Sequence, residues 1–284
     1  MDIQKITVIG GGLMGRQIAL SASIYGVEAT VYDLNGSVCD AVAAWAEEYL
    51  AGRIAKGRMT QEAVAQVKQI FHVEKDLTKA LDGAQCVIEA VVEVEEVKRS
   101  VLSQISALVD ESVIIATNSS FMVSSRFADC VKNPARLANM HFYNPALVMK
   151  FVEIVQGPHT SKETAESLFA FCQKTGKTPI WMKKELEGFA ANYILRAIND
   201  SARWLVQNGY CTPHEVDLAC ENGLRHPMGP FRLNDLTGND LTFDIMKSRY
   251  AKSGVKPDMY DVYEQMVKEG KLGRKTKHGF YDYE

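Results

Sequence analysis

The feature that most restricts the fold of this chain is a glycine-rich turn near the N-terminus. Gly10, Gly12 and Gly15 form the pattern G-x-G-x-x-G, preceded by the strand-like run KITVI and followed by LMGRQIALSASIYG, which has helical apolar spacing. A second strand-like run, EATVYD, ends in Asp33 about twenty residues after the turn. This context predicts a βαβ unit that binds a dinucleotide, and a glycine-rich turn without a ligand is the alternative.

Each position of the turn has a physical role in such a site. Gly10 allows the tight turn, Gly12 lets the backbone approach a pyrophosphate, and Gly15 lets the helix pack close to the sheet. The free N–H groups of the helix N-terminus then favour phosphate. Asp33 can accept hydrogen bonds from a ribose diol but would repel a 2′-phosphate, and the next residues, LNGS, contain no Arg or Lys. We therefore expect NAD rather than NADP, with Arg16 as a possible exception.

The order of predicted elements indicates an α/β fold followed by a helical region. Six further strand-like runs follow the first βαβ unit: QIFHVE, QCVIEAV, SVIIATN, LANMHF, KFVEIV and TPIWM. The alternation of strands with helical stretches predicts a Rossmann-like, doubly wound, mostly parallel sheet. After about residue 187 every run reads as a helix broken by Gly or Pro. We expect a cofactor-binding domain over residues 1–186 and an all-helical domain over 187–284.

Composition excludes several classes of protein. The net charge of −3 offers no general attraction to nucleic acid or anionic membranes, and the basic run KLGRKTKHG reads as a solvated tail. The six cysteines form no CxxC pair and are not evenly spaced along the chain, which argues against a zinc site and against a disulfide scaffold. No apolar run approaches the ~18 residues that span a bilayer, and no signal-type lead precedes the first strand. We expect a cytoplasmic protein without a metal.

The run NMHFYNPALVMKFVEIV contains a single histidine, His141, and a single acid, Glu153. Taken alone, the histidine is typical of a hydrogen-bonded core residue and the glutamate of a strand residue that faces water. The run by itself therefore favours a structural role over a catalytic one for both residues.

Seven motifs in register resemble the 3-hydroxyacyl-CoA dehydrogenase family, most closely its short, monofunctional 3-hydroxybutyryl-CoA members. The resemblance covers nearly the whole chain. It is carried by VIGGGLMGRQIA, EAVVEVEEVK, ATNSS, MHFYNPALVMKFVEIV, GFAANYIL, HPMGPFRLNDLTGND and GRKTKHGFYDY. The family implies reversible, NAD-dependent oxidation of an L-3-hydroxyacyl-CoA to the 3-oxoacyl-CoA.

The resemblance assigns catalytic roles to four residues. His141 matches the base that removes the hydroxyl proton, and Glu153 matches the carboxylate that fixes its tautomer and stabilises the imidazolium. Ser120 matches a serine that hydrogen-bonds the reacting oxygen, with helix capping as the alternative. Asn192 matches an asparagine that reaches from the first helix of the second domain, and we expect it at mid-helix, where asparagine is mildly unfavourable.

The resemblance also extends the binding sites. Glu93 and Lys98 match contacts on the nicotinamide side, although an acid and a base on a solvated helix are the competing interpretation. The full predicted cofactor set is Gly10, Gly12, Leu13, Met14, Gly15, Asp33, Glu93, Lys98, Asn118 and Asn144. For the acyl-CoA, besides Ser120 and Asn192, the helical hairpin around AGRIAKGRMT offers Arg53, Lys56 and Arg58 to the CoA phosphates, and surface solvation explains them equally well.

Some positions depart from the family pattern. Ser119 and Phe121 replace a threonine and a serine next to Ser120, close to where the resemblance places the thioester. Tyr193 replaces an arginine, and Lys277 and His278 alter the C-terminal turn. The acyl length therefore stays open.

The apolar runs NYILRAI and LTFDIM exceed what a small helical domain can bury, which predicts a homodimer. A related dehydrogenase of sugar acids or other free hydroxy acids, and a non-catalytic NAD-binding protein, are the rival functions.

Overall fold

The computed structural model describes all 284 residues, and its internal contacts divide the chain into two compact units, Met1–Ala190 and Ala191–Glu284. The strands all belong to the first unit: β1 Lys5–Ile9, β2 Glu28–Tyr32, β3 Phe71–Glu74, β4 Cys86–Glu89, β5 Ile114–Thr117, β6 Leu137–Phe142, β7 Phe151–Val155 and β8 Thr178–Met182. The helices that begin in it are α1 Leu13–Ile24, α2 Gly36–Ala55, α3 Gln61–Ile70, α4 Leu77–Leu81, α5 Glu95–Leu108, α6 Lys162–Lys174 and α7 Phe189–Gln207.

The eight strands form one sheet in the order β3-β2-β1-β4-β5-β6-β7-β8. Every neighbouring pair is parallel except β6 and β7. A parallel crossover needs a dozen or more residues and usually a helix, whereas only residues 143–150 join these two strands. The predicted Rossmann-like, mostly parallel sheet is confirmed, and the short connection explains its antiparallel pair.

Two hydrophobic layers cover the sheet because strand residues alternate between its faces. On one face the core includes Ile18 of α1 and Phe171 of α6, and on the other it includes Leu102 of α5 and Phe127 of a 3₁₀ helix over Ser124–Cys130. The sheet is therefore buried between helices on both sides, as the near-continuous apolar strands predict.

The strand order reverses direction at β1, which pairs with β2 on one side and β4 on the other. In open parallel sheets a crevice forms at the carboxyl ends of strands at such a switch point, and ligands bind there. Gly10 follows β1 at this edge, and Ala90 follows β4. The topology thus places the predicted phosphate turn at the sheet position that suits a dinucleotide.

The second unit contains helices and no extended strand, apart from isolated bridges that involve Gly273, His278 and Asp282. After α7 its helices are α8 Pro213–Leu218, a π-helical turn Ala219–Gly223, α9 Pro230–Thr237, α10 Asn239–Ser253 and α11 Tyr260–Lys268. Phe231 and Tyr263 are fully buried in its core. None of the helices in the chain combines the length and hydrophobicity that crossing a bilayer requires.

Candidate active site

The glycine turn is shaped by close backbone packing. Gly10 has a φ of +107°, and its N–H donates a hydrogen bond to the carbonyl of Tyr32 at 2.7 Å. A Cβ added at Gly10 would lie 2.7 Å from the carbonyl oxygen of Ala90, and one at Gly15 would overlap the carbonyl oxygen of Gly10. Glycine is therefore required at both positions for β1, α1 and the chain after β4 to approach one another.

Gly12 differs from its neighbours because a Cβ there would meet no atom within 4 Å. It is also the N-cap of α1, and no side chain caps this helix end. The first N–H groups of a helix have no intrahelical partner, and together with the helix dipole they favour an anion. Open space above free N–H donors fits the pyrophosphate of a dinucleotide.

Asp33 is fixed at the end of β2, beside the turn. The N–H groups of Gly11 and Asn35 donate to its two carboxylate oxygens at 2.8 and 2.9 Å. Each oxygen keeps a further lone pair that can accept from a ribose hydroxyl. Asp33, Gly10 and Gly12 line one open groove of about 630 Å³, which continues past Val97 on α5.

His141 and Glu153 form a buried pair. They lie directly opposite each other in the antiparallel register of β6 and β7, so both side chains project from the same face of the sheet. Nδ1 of the imidazole is 2.8 Å from Oε2 of the carboxylate, and the two residues are 3% and 0% exposed. Because an ionised carboxylate only accepts, the pair fixes the proton of the neutral ring on Nδ1 and leaves Nε2 as the basic nitrogen.

Aromatic rings surround this pair. The phenol of Tyr143 donates a second hydrogen bond to Oε2 of Glu153 at 2.9 Å. Burial, followed by the charge of Glu153, raises the pKa of Tyr143, so this phenol stays a neutral donor. The rings of Tyr143 and Phe189 lie 4.5 and 5.4 Å from the imidazole centroid. These contacts hold the ring in one orientation, which a proton-transferring group requires.

The chain matches the 3-hydroxyacyl-CoA dehydrogenase NAD-binding domain over residues 5–186 and the C-terminal domain of the same family over residues 188–283. This chain belongs to the 3-hydroxyacyl-CoA dehydrogenase family. Its cofactor is accordingly NAD, and it is an NAD-dependent oxidoreductase.

Full-length relatives support this membership. A probable 3-hydroxybutyryl-CoA dehydrogenase of Bacillus subtilis is 33% identical and aligns over 100% of this chain and 99% of its own. The crystal structure of (S)-3-hydroxybutyryl-CoA dehydrogenase from Ralstonia eutropha superposes with a TM-score of 0.89 at 31% identity, covering 100% of both chains. The structure of a diketoreductase that acts on dicarbonyl compounds gives a TM-score of 0.88 at 28% identity, again over 100% of both chains.

The fold of this 3-hydroxyacyl-CoA dehydrogenase brings some of the predicted site residues together and leaves others apart. Glu93 and Lys98 approach to 3.3 Å, so they form a pair rather than two solvated charges. Asn118 is buried, and its side-chain oxygen accepts the N–H of Phe142 at 2.9 Å, which ties the end of β5 to the strand that carries the histidine. Asn144 is exposed in the loop after β6.

The remaining predicted residues lie on accessible parts of this dehydrogenase. Ser120 is exposed in the loop after β5, next to β6 in the sheet. Asn192 is half-buried in the first turn of α7, so the expectation of a mid-helix position is wrong. The predicted helical hairpin exists as α2 and α3. On it Arg53 is half-buried, and Lys56 and Arg58 are exposed.

Two residues of this dehydrogenase were missed by sequence reasoning. Glu89 closes the buried strand β4 and accepts a hydrogen bond from Lys98 at 2.7 Å. Tyr143 lies two residues after His141, and strand alternation alone could have placed it on the same face. An acid that ends an otherwise apolar strand was the available signal for Glu89. No group of three or more His, Cys, Asp or Glu side chains in the chain is arranged to hold a metal ion.

Proposed function

We propose that this dehydrogenase catalyses the reversible oxidation of a short-chain L-3-hydroxyacyl-CoA to the 3-oxoacyl-CoA. The observation that carries the proposal is the buried His141–Glu153 pair, in the same unit as an open phosphate turn. Removal of a hydride from an alcohol carbon leaves a carbonyl only if the hydroxyl proton also departs. A histidine with one nitrogen held by a carboxylate and the other basic is suited to take that proton.

The roles of the other residues follow from the chemistry. NAD, when bound, supplies the hydride acceptor. The turn from Gly10 to Gly15 holds its pyrophosphate, and Asp33 accepts from its ribose. Ser120 and Asn192 hydrogen-bond the reacting oxygen, which polarises the carbonyl in the reverse direction. Glu153 stabilises the imidazolium that forms when His141 takes the proton.

The charged residues of the α2–α3 hairpin are proposed to bind the CoA phosphates. Arg53 on α2 and Lys56 and Arg58 after it supply three positive charges in a short span. Guanidinium and ammonium groups pair well with phosphate oxygens, and a guanidinium can do so with two parallel hydrogen bonds.

We also propose separate roles for the two domains of the chain. Residues 1–186 bind the cofactor and also supply Ser120 and the α2–α3 hairpin for the substrate, and residues 187–284 bind substrate and mediate a homodimer. In the second unit Ile194, Trp204, Leu241 and Ile245 are about half exposed or more, which is unusual for large apolar side chains and favours a second copy as their cover. Sedimentation equilibrium at micromolar concentration is expected to give the dimer mass, and a monomer alone would reject the proposal.

Substrate class is tested by a panel of carbonyl compounds with NADH. We expect turnover of acetoacetyl-CoA and falling kcat/KM as the acyl chain lengthens, because short-chain relatives share the whole length of this sequence. Free 3-oxo acids, sugar acids and simple dicarbonyl compounds form the comparison set, since the diketoreductase structure is also similar. Turnover of only the free compounds would contradict the acyl-CoA assignment.

Cofactor selectivity provides a second expected result. The Asp33 carboxylate lies at the groove and would meet the 2′-phosphate of NADPH as a like charge. We expect kcat/KM for NADPH at least about a hundredfold below that for NADH, equivalent to ~2.7 kcal/mol. Asp33→Ser should reduce the preference for NADH over NADPH, measured as the ratio of the two kcat/KM values.

Arg16→Gln is the companion variant for cofactor selectivity. The Arg16 guanidinium lies over the ring of Trp45, 4.6 Å from its centroid, and is therefore already held by α2. This variant should leave the NADH to NADPH ratio unchanged. Comparable rates with the two cofactors in the unmodified enzyme would refute the role of Asp33.

A further inference from the structure

Three charged side chains form a network at the carboxyl ends of β4 and β5. Nζ of Lys98 lies 2.7 Å from Oε1 of Glu89 and 3.3 Å from Oε2 of Glu93. The second oxygen of Glu89 accepts a hydrogen bond from Thr117 at 2.6 Å. The hydroxyl of Ser119 donates to Oε1 of Glu93. The network therefore joins the ends of two strands to the first turn of α5.

Burial of the Lys98 ammonium would destabilise the folded protein if these partners were absent. Its side chain is 1% exposed, and burial disfavours an ammonium ion. It also lies in the first turn of α5, where the positive end of the helix dipole repels a cation. A buried charge is tolerated when it is paired and hydrogen-bonded, and Glu89, which is 0% exposed, supplies the buried half of that pairing.

Glu93 connects this interior pair to the solvent. Its side chain is 42% exposed, whereas Lys98 and Glu89 are enclosed. Burial alone would raise the pKa of the Glu93 carboxyl, but the Ser119 hydrogen bond and the charge of Lys98 outweigh it, so the pKa is lowered. The N–H of Phe121 also points to Oε1, at 3.3 Å.

Other charged groups lie near this helix end, and its cations have partners other than Glu93: Arg99 of α5 pairs with Asp129. Glu95 and Glu96 occupy the first turn of α5. Glu95 is paired with Arg126 of the following 3₁₀ helix at 3.1 Å, and Arg126 also contacts Glu187. Lys98 is therefore the cation that balances Glu93.

We propose that Glu89 and Lys98 are positioning residues, a buried ion pair whose task is to hold the Glu93 carboxylate ionised and fixed at the cofactor site. Lys98 acts through Glu93 rather than by touching the cofactor, because its ammonium is enclosed by Glu89, Glu93 and the carbonyl of Val91. An ionised Glu93 accepts hydrogen bonds from the dinucleotide, whereas a protonated one presents a donor and loses that contact. This inference rests on the proposed place of Glu93 in the cofactor site and goes beyond it by assigning what maintains that carboxylate.

Equilibrium binding of NADH at different pH values tests the proposal without any substrate. The unmodified protein should bind NADH with nearly constant affinity from about pH 8 to about pH 5.5, because Glu93 stays ionised throughout. In Lys98→Met the carboxyl loses its cation while its burial remains, so its pKa rises. We expect affinity to fall several-fold as the pH is lowered through that range, measured by fluorescence titration. In Glu89→Gln the ammonium keeps Glu93 as its carboxylate partner and Glu93 stays ionised, so the profile should remain flat, with a lower affinity at every pH because Lys98 loses its buried anchor.

Three further variants make the result decisive. Glu93→Gln should bind NADH weakly at every pH, and adding Lys98→Met to it should introduce no pH dependence. Lys132→Met removes an exposed lysine from the loop that precedes β6, near Ser106 in the last turn of α5, and should keep the flat profile. A flat profile of unchanged affinity in Lys98→Met would overturn the proposal. Uniform weakening in Lys98→Met, with Glu93→Gln binding normally, would also overturn it, because Lys98 would then contact the cofactor itself. A wrong acyl-CoA assignment would leave all of these titrations unaffected.

Discussion

His141→Gln is expected to lower kcat for 3-hydroxyacyl-CoA oxidation by about a hundred- to ten-thousand-fold, the usual contribution of a positioned general base. Glutamine has a similar reach and can still donate to Glu153, but it cannot accept a proton at neutral pH. The affinity for NADH should stay within about twofold, because the phosphate turn and Asp33 are separate from the pair. Stopped assays of NADH formation and a separate fluorescence titration measure the two quantities.

Two companion variants make this result specific. His72→Gln changes the same residue type on β3 at the far edge of the sheet, where the side chain is about half exposed, and should retain full activity. Glu153→Gln should reduce kcat less than His141→Gln, because the base remains while the imidazolium loses its carboxylate. A His141→Gln enzyme that keeps more than about a tenth of its kcat would show that another group takes the proton.

Local sequence patterns predicted the glycine turn between β1 and α1, because the interactions that shape it are local. Gly10, Gly12 and Gly15 lie within six residues, and the strand before them and helix after them are visible in the apolar spacing. Asp33 directly follows the next strand, and its carboxylate accepts backbone N–H groups of Gly11 and Asn35 within the same βαβ unit. Such features need no knowledge of how distant segments pair.

Geometry that depends on pairing between distant segments was harder to predict from the sequence. The contact between His141 and Glu153 follows from the antiparallel register of β6 and β7, and a shift of one residue would place the two side chains on opposite faces. Periodicity gives the strands but not their register, so the family resemblance supplied this pair. The expectation that a lone glutamate in a strand faces water fails for Glu153 because the imidazole and the Tyr143 phenol hydrogen-bond it in the interior.

Glu89 is the clearest example of a residue whose contacts could not be predicted from the sequence. Its partner Lys98 is nine residues away, and the two meet only because α5 folds back over the end of β4. The competing interpretation of Glu93 and Lys98, an acid and a base on a solvated helix, assumed that this helix end faces water. The structure buries the ammonium instead, and this burial is the observation behind the proposal that Lys98 supports Glu93.

Gly12→Val should weaken NADH binding by about a hundredfold or more, ~2.7 kcal/mol, while leaving the melting temperature nearly unchanged. Gly12 has a φ of −63°, which any residue adopts, and a Cβ there meets no atom within 4 Å, so the folded protein has no reason to lose stability. The added side chain would instead occupy the space through which a pyrophosphate reaches the free N–H groups of α1, and each charge-assisted hydrogen bond lost costs about 1.5–3 kcal/mol.

Gly223→Val is the matched control, since a Cβ at Gly223 also meets nothing within 4 Å but lies in the helical unit, and this variant should bind NADH normally. Gly15→Ala should behave in the opposite way and lower the melting temperature, because its Cβ would overlap the carbonyl of Gly10. Unchanged NADH affinity in Gly12→Val would mean that the dinucleotide does not pass over this turn, and the cofactor site would then have to lie elsewhere in the first unit.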